Sequence, residues 1–177
     1  MVLPQNRFFI LAGPPGAGKT TLLAQLSAEI ETVPEYARRV LAQERKTGGR
    51  ATGDQDSALF VQRMLEVAIA DYDGASGLTV FDRGLPDLLA FCAHYGISDQ
   101  TVREAVEDRR YQPKVFFLPS WKAIYTTDDE RILDFDGARA FGRLIRTAYE
   151  QSGYTLIDVP QASPEARAAF IRDHMIA

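Results

Sequence analysis

A single cysteine, Cys92, stands in a sequence of 177 residues, so no disulfide can close within the chain. The two histidines, His94 and His174, have no companion at metal-ligand spacing, and Cys92 has no base nearby in sequence. Neither a zinc centre nor a thiol nucleophile finds support. No apolar run approaches the roughly 20 residues that cross a bilayer, and no charged-then-apolar leader opens the chain. A cytoplasmic address without a membrane partner is the expectation. Positive charge is scarce too: 20 Lys+Arg against 24 Asp+Glu leave a net charge of -4 and a pI near 5.2. Such a field repels phosphate backbones and argues against nucleic-acid polymers as partners. Lysine occurs only at Lys19, Lys46, Lys114 and Lys122. Arginine supplies the other cations, a bias that suits bidentate phosphate contacts but equally follows from genome composition.

Apolar residues are plentiful, 46% of the total, in a length that buries roughly 70% of the surface an unfolded chain exposes. One domain over 1–177 is expected, as a monomer or small homo-oligomer. Short apolar runs at Arg7–Ala12, 32–33, Leu78–Asp82, 115–119 and 154–160 read as strands. Between them, Leu22, Leu23, Leu26 and Ile30 recur at helical spacing, 36–46 reads as a helix stopped by Gly48 and Gly49, and 54–72 as another. Ser163 followed by Pro164 and Glu165 is a helix start. The glycine-rich polar stretch 47–53 reads as a mobile connection. Short strands alternating with helices specify an α/β fold with a parallel sheet.

Residues 13–20 match G-x-x-x-x-G-K-[ST] in full, between a predicted strand and a predicted helix. Glycines at Gly13, Gly16 and Gly18 let the backbone curl so that successive N–H groups point at a phosphate, and the helix that follows adds its positive dipole end. With Pro14, Pro15, Ala17 and Thr21 they form a nucleoside-triphosphate cradle, in which Lys19 offers a charge to the β- and γ-phosphates and the Thr20 hydroxyl a Mg²⁺ ligand. Such a cradle needs an acid across the metal, and the strand Leu78–Asp82 delivers Asp82 at its carboxyl end. Arg83, next to that acid, can meet the transferred group or a substrate phosphate.

The cradle, followed by Val33-Pro34-Glu35-Tyr36-Ala37-Arg38-Arg39 and by Phe81-Asp82-Arg83-Gly84-Leu85-Pro86-Asp87, resembles a family of small P-loop ATPases. These are the AAA-domain or kinase-like ATPases, similar to the ribosylnicotinamide kinase domain and more distantly to nucleoside and nucleotide kinases. The resemblance covers nearly the whole chain. It implies a P-loop NTPase three-layer sandwich whose five-stranded parallel sheet has the order 2-3-1-4-5, an acceptor region at about 35–74 and a helical lid at about 120–143. It also implies that Glu35 lies near the acceptor hydroxyl, as base or positioning group, although a first-turn helix acid would look the same. Arg38 and Arg39 become substrate-binding candidates, of which one faces the cleft. Arg131 becomes the lid residue reaching the triphosphate. Arg139, Arg143 and Arg146 share one helix face, either closing over phosphate or solvated beside Asp134, Asp136 and Glu150. The loop 160–163 resembles an adenine rest, or is simply the start of a helix, and Trp121 and the ten phenylalanines read as core or pocket wall.

The expected activity is transfer of a phosphoryl group from ATP, with Mg²⁺, to a small acceptor such as a nucleoside or nucleotide. Lys19, Asp82, Glu35 and Arg131 are its catalytic candidates. A nucleotide-dependent ATPase or switch acting on a protein partner is the alternative, and a module that holds nucleotide without turnover a third. A ring-forming motor is not expected, because only one helix follows the fifth strand where such motors add a helical domain.

Overall fold

The computed structural model describes residues 7–126 and 133–176. Five strands, β1 (Arg7–Ala12), β2 (Glu31–Val33), β3 (Leu78–Asp82), β4 (Lys114–Phe117) and β5 (Thr155–Asp158), form one sheet in the order β2-β3-β1-β4-β5. Every pairing is parallel, and β1 runs down the middle, with Leu11 opposite Asp82 on one side and Phe116 on the other. Among the described residues seven α-helices cover the two faces: α1 (Lys19–Leu26), α2 (Tyr36–Thr47), α3 (Ser57–Gly74), α4 (Asp87–Tyr95), α5 (Gln100–Asp108), α6 (Phe135–Gln151) and α7 (Pro164–Ile176). No helix among the described residues is long and apolar enough to cross a membrane.

The two-residue period of the strands divides the interior into two cores. Phe8, Ile10 and Ala12 point to one face and join Phe81, Val115 and Phe117 beneath α2, α3, α4 and α6. Phe9 and Leu11 point to the other and join Val80 and Phe116 beneath α1 and α7, against Leu22, Leu26 and Ile171. Burial on both faces is why these strands read as continuous apolar runs.

The sheet order and the strand positions are those expected. The differences lie in the helices. α1 stops at Leu26, short of Ile30, and α3 starts at Ser57 because the Asp56 carboxylate caps it, accepting from the Leu59 N–H at 3.0 Å. The stretch 47–53 is tied down: Gly48 ends α2 with φ 68°, and the Ala51 N–H, wholly buried, donates to Glu44 at 2.9 Å. Two helices, α4 and α5, have no counterpart among the predicted elements. In α4 every residue from Asp87 to Cys92 is buried, so no polar face marks its period.

Candidate active site

β1 ends where the backbone must turn back on itself. Gly13 has φ 138°, and a Cβ there would lie 2.4 Å from the Leu118 carbonyl oxygen, so no other residue fits. Gly18 closes the loop with φ 90° as the N-cap of α1. The first turn of that helix carries no side-chain cap and no acidic residue, which leaves its N–H groups for an anion. Thr20 and Thr21 are exposed and line the cleft above the loop together with Pro15, Gly16 and Lys19. Pro14 and Ala17 are buried in the loop.

Lys19 is only 5% exposed, and its Nζ donates to the Gly13 and Pro14 carbonyls at 2.9 and 2.8 Å. Burial, with the Arg83 charge, pushes its pKa down to about 8 against the opposing pull of Asp82, Glu35 and Asp87. Asp82 is 3% exposed, and burial pushes its carboxyl up to about 6 in spite of Lys19. Its Oδ1 is buried with no hydrogen-bond partner among the described residues. An orphaned carboxylate oxygen near Lys19, where α1 starts, fits a hard cation that takes oxygen ligands. No group of three His, Cys, Asp or Glu gathers among the described residues, so such an ion would draw its other ligands from phosphate and water.

This environment fixes the sign of a pH effect. Because the Asp82 pKa is raised on folding, the folded chain holds a proton between about 4 and 6 that the unfolded chain has lost, and stability falls as pH rises through that window. Without metal, Asp82→Asn is therefore expected to stabilise the protein at pH 7.5 by on the order of 2 kcal/mol, with the gain vanishing near pH 4. Melting temperatures of both proteins across pH 4–8 measure it, and a destabilised variant at pH 7.5 would contradict it.

Beyond β2, Glu35 occupies the N-cap position of α2 but caps nothing. Its carboxylate instead accepts from Arg83 Nε at 2.7 Å and lies 3.5 Å from Arg38 Nε. Burial alone would raise the Glu35 pKa; Arg83, Lys19 and Arg38 outweigh it and hold the group ionised. Arg83 itself departs from the expectation of an anion-gripping side chain. It lines the cleft, but its guanidinium is 2% exposed and committed to the protein, through Nε to Glu35 and through Nη1 to Asp87 at 2.8 Å and to the Gly13 carbonyl at 3.3 Å. Its backbone is also the one non-glycine among the described residues at positive φ, 73°. Asp87, wholly buried, completes the brace by accepting from the Gly84 N–H and from the Tyr149 hydroxyl. Tyr36 donates to the Gly84 carbonyl at 3.2 Å.

The cleft measures about 540 Å³ and continues from the phosphate loop past Glu35 to a wall of Phe60, Phe91, Tyr95 and Phe141, with Arg38, Arg45 and Asp54 also lining it. Arg38 thus faces the cleft. Arg39 does not: it grips Asp71 of α3 with two bonds, at 2.6 and 3.0 Å, and lines a separate groove between α2 and α3. Adjacent positions on a helix diverge by about 100°, which is why one of the pair turns away. Arg139 pairs with Asp136, while Arg146 pairs with Asp158 and lies over the Phe117 ring; with Arg143, none lines the cleft. Arg131 lies outside the described residues. In the loop 160–163, Gln161 donates to Ser120 and the Ser163 hydroxyl accepts from the Ala166 N–H. Cys92 is buried, its thiol pushed up to about 11.

Of the wall residues, Phe60, Phe91 and Phe141 read from the sequence as core or pocket wall, and Tyr95 carries no signal. Tyr149 carries none either, whereas Asp87 follows the Asp-Arg-Gly segment at helix spacing from Arg83. Arg167, whose side chain reaches the phosphate loop from α7, is also unanticipated.

In fold, the chain is similar to deoxyadenosine kinase from M. mycoides with a TM-score of 0.64 at 12% identity, covering 96% of this chain and 98% of that one. Shikimate kinase from Acinetobacter baumannii, in complex with shikimate, gives 0.63 at 19% over 97% and 94%. The NadR protein in complex with NR gives 0.70 at 18%, where 96% of this chain spans 51% of the other. No curated protein matches the chain in sequence. A family model described as AAA domain matches residues 8–167, from the first buried residue of β1 to the arginine that α7 sends to the phosphate loop. The chain belongs to that family of P-loop proteins.

Proposed function

We propose that the protein is a small-molecule kinase that transfers the γ-phosphoryl group of ATP to a hydroxyl- or phosphate-bearing acceptor, a nucleoside or nucleotide. One observation carries the reading: a single cleft joins the phosphate loop with Lys19 to a carboxylate, Glu35, and then to an aromatic-walled chamber. A simple triphosphatase needs the first of these and has no use for the other two.

The loop 13–21 holds the triphosphate, with backbone N–H groups and Lys19 neutralising the charge that spreads over the transferred group. Thr20 and Asp82 would hold Mg²⁺, which when bound supplies further neutralisation between the phosphates. The acceptor oxygen forms a bond to the γ-phosphorus as the bond to the bridging oxygen breaks, ADP departs, and the hydroxyl proton passes to Glu35 or to water. Arg83 holds Glu35 ionised and in place for this work. The acceptor region is 35–74, where Arg38 is the substrate-facing arginine, and 120–143 with Arg131 is the lid, which excludes water. Flat rings suit walls of Phe60, Phe91, Tyr95 and Phe141, which favours a nucleobase or similar heterocycle over an aliphatic ring acid such as shikimate.

ADP release from Mg-ATP, measured alone and with deoxyadenosine, thymidylate, nicotinamide riboside and shikimate among other hydroxylated metabolites, tests the proposal. Stimulation of at least about tenfold by one ring-bearing acceptor, with phosphorylated product, is expected. Stimulation by a protein fraction only would replace the kinase with a switch, and binding without any ADP would replace it with a holding module.

A further inference from the structure

α7 reaches the phosphate loop through one side chain. The Arg167 N–H donates to the Ser163 carbonyl at 3.0 Å, and its guanidinium sends both Nη1 and Nη2 to the Ala17 carbonyl oxygen at 3.2 Å. Nη1 lies 2.8 Å from the place a Cβ on Gly18 would occupy, and the guanidinium carbon lies 5.5 Å from the centre of the Trp121 ring. Arg167 is 3% exposed, yet it makes no ion pair among the described residues, and its buried Nε has no partner there either. Burial alone lowers its pKa. A buried cation compensated, among the described residues, by no more than carbonyls and a ring destabilises the free protein, so its presence at this place calls for a use elsewhere.

Peptide geometry points to that use. No cis bond occurs among the described residues, so the carbonyl of Ala17 and the N–H of Gly18 point in opposite directions. Two donors holding the carbonyl toward α7 send the Gly18 N–H away from it, and Gly18 lines the cleft. We propose that Arg167 is a positioning residue of the phosphate loop, clamping the Ala17–Gly18 peptide so that its N–H serves the polyphosphate and lending the loop its positive charge. Polarising the carbonyl also strengthens the N–H of the same peptide as a donor. A glycine at 18 is required for its φ of 90°, and a Cβ there would push the guanidinium from its place. The proposal rests on the assignment of the loop 13–21 to a triphosphate.

Calorimetric titration with inorganic tripolyphosphate and with ATP tests both, on the wild-type chain, Lys19→Ala, Arg167→Met and Arg167→Lys, each with a melting temperature and an acceptor KM. Arg167→Met is expected to weaken tripolyphosphate binding about tenfold or more while the acceptor KM stays unchanged and the ligand-free melting temperature does not fall. Arg167→Lys, which keeps the charge but not the fork, should lie between. A merely structural arginine would give the opposite split: a lower melting temperature and wild-type affinity. Wild-type affinity in Arg167→Met overturns the clamp, and should that variant not fold, wild-type affinity in Arg167→Lys does so. If the wild-type chain binds neither ligand, the loop assignment falls and the clamp with it; if Lys19→Ala alone loses binding, only the clamp falls.

Discussion

Replacing Lys19 by alanine is expected to slow phosphoryl transfer by about 10²–10³-fold, the loss that follows when one preorganised donor is removed from a developing negative charge. The ammonium that would serve the γ-phosphate rests on the Gly13 and Pro14 carbonyls, two groups of the same loop. Moving it onto a phosphate oxygen therefore requires no rearrangement of the fold. Nor should its removal harm stability. The Lys19 pKa is lowered to about 8 on folding, so between about 8 and 10.5 the unfolded chain binds more protons and stability rises with pH, whereas below about 8 the buried charge is a cost. At neutral pH Lys19→Ala sheds that cost, and a melting temperature at or above the wild-type value should accompany the lost turnover. Coupled assay of ADP and calorimetry of the same preparation separate the two effects. Transfer within threefold of wild type would remove Lys19 from the reaction.

The largest effect on stability is expected from Asp87→Ala. Asp87 is wholly buried and answers the Arg83 guanidinium, the Gly84 N–H and the Tyr149 hydroxyl at once. Its removal leaves a buried charge short of a partner, a change worth about 3–5 kcal/mol, or a fall of roughly 10 °C at about 2–4 °C per kcal/mol for a chain of this size. Glu35 remains on Arg83 and keeps the cost from being greater. Arg83→Met combined with Asp87→Leu should lose much less than the two single changes together, because the pair acts as a unit. Urea denaturation of Asp87→Ala, of the two single changes and of their combination checks this, and a loss under 1 kcal/mol for Asp87→Ala would mean that the brace does not hold the loop.

Much of this architecture was legible from residue patterns, for identifiable reasons. The loop 13–21 is written in residue types that no other local structure demands, and the strands β1, β3 and β4 announce themselves because burial on both faces removes polar positions. The same total burial hides α4, whose run from Asp87 to Cys92 has no solvent face to set its period. α5 could have been found from Val102, Ala105 and Val106, which keep helical spacing. Arginine is where sequence is least informative. Arg38, Arg39, Arg83 and Arg167 are one residue type with four fates, cleft wall, surface pair, internal brace and loop contact, and for the last three the fate is decided by a partner distant in sequence. Asp71 lies 32 positions from Arg39, and Ala17 lies 150 from Arg167.

The central position of β1 bears on how the chain comes into being. Of the five strands β1 is made first, yet its two neighbours are β3 and β4, with Phe8 waiting for Thr79 and Leu11 for Phe116. One of its edges stays unpaired until β3 has been made and the other until β4 has, and such edges are templates for mispairing with other chains. A nucleotide offered to the nascent chain would find no cradle until β4 has docked. Gly13 takes its shape against the Leu118 carbonyl, which follows the last residue of that strand. The loop that is complete in sequence by Thr21 becomes a place only when Leu118, almost a hundred residues later, has been made and has docked.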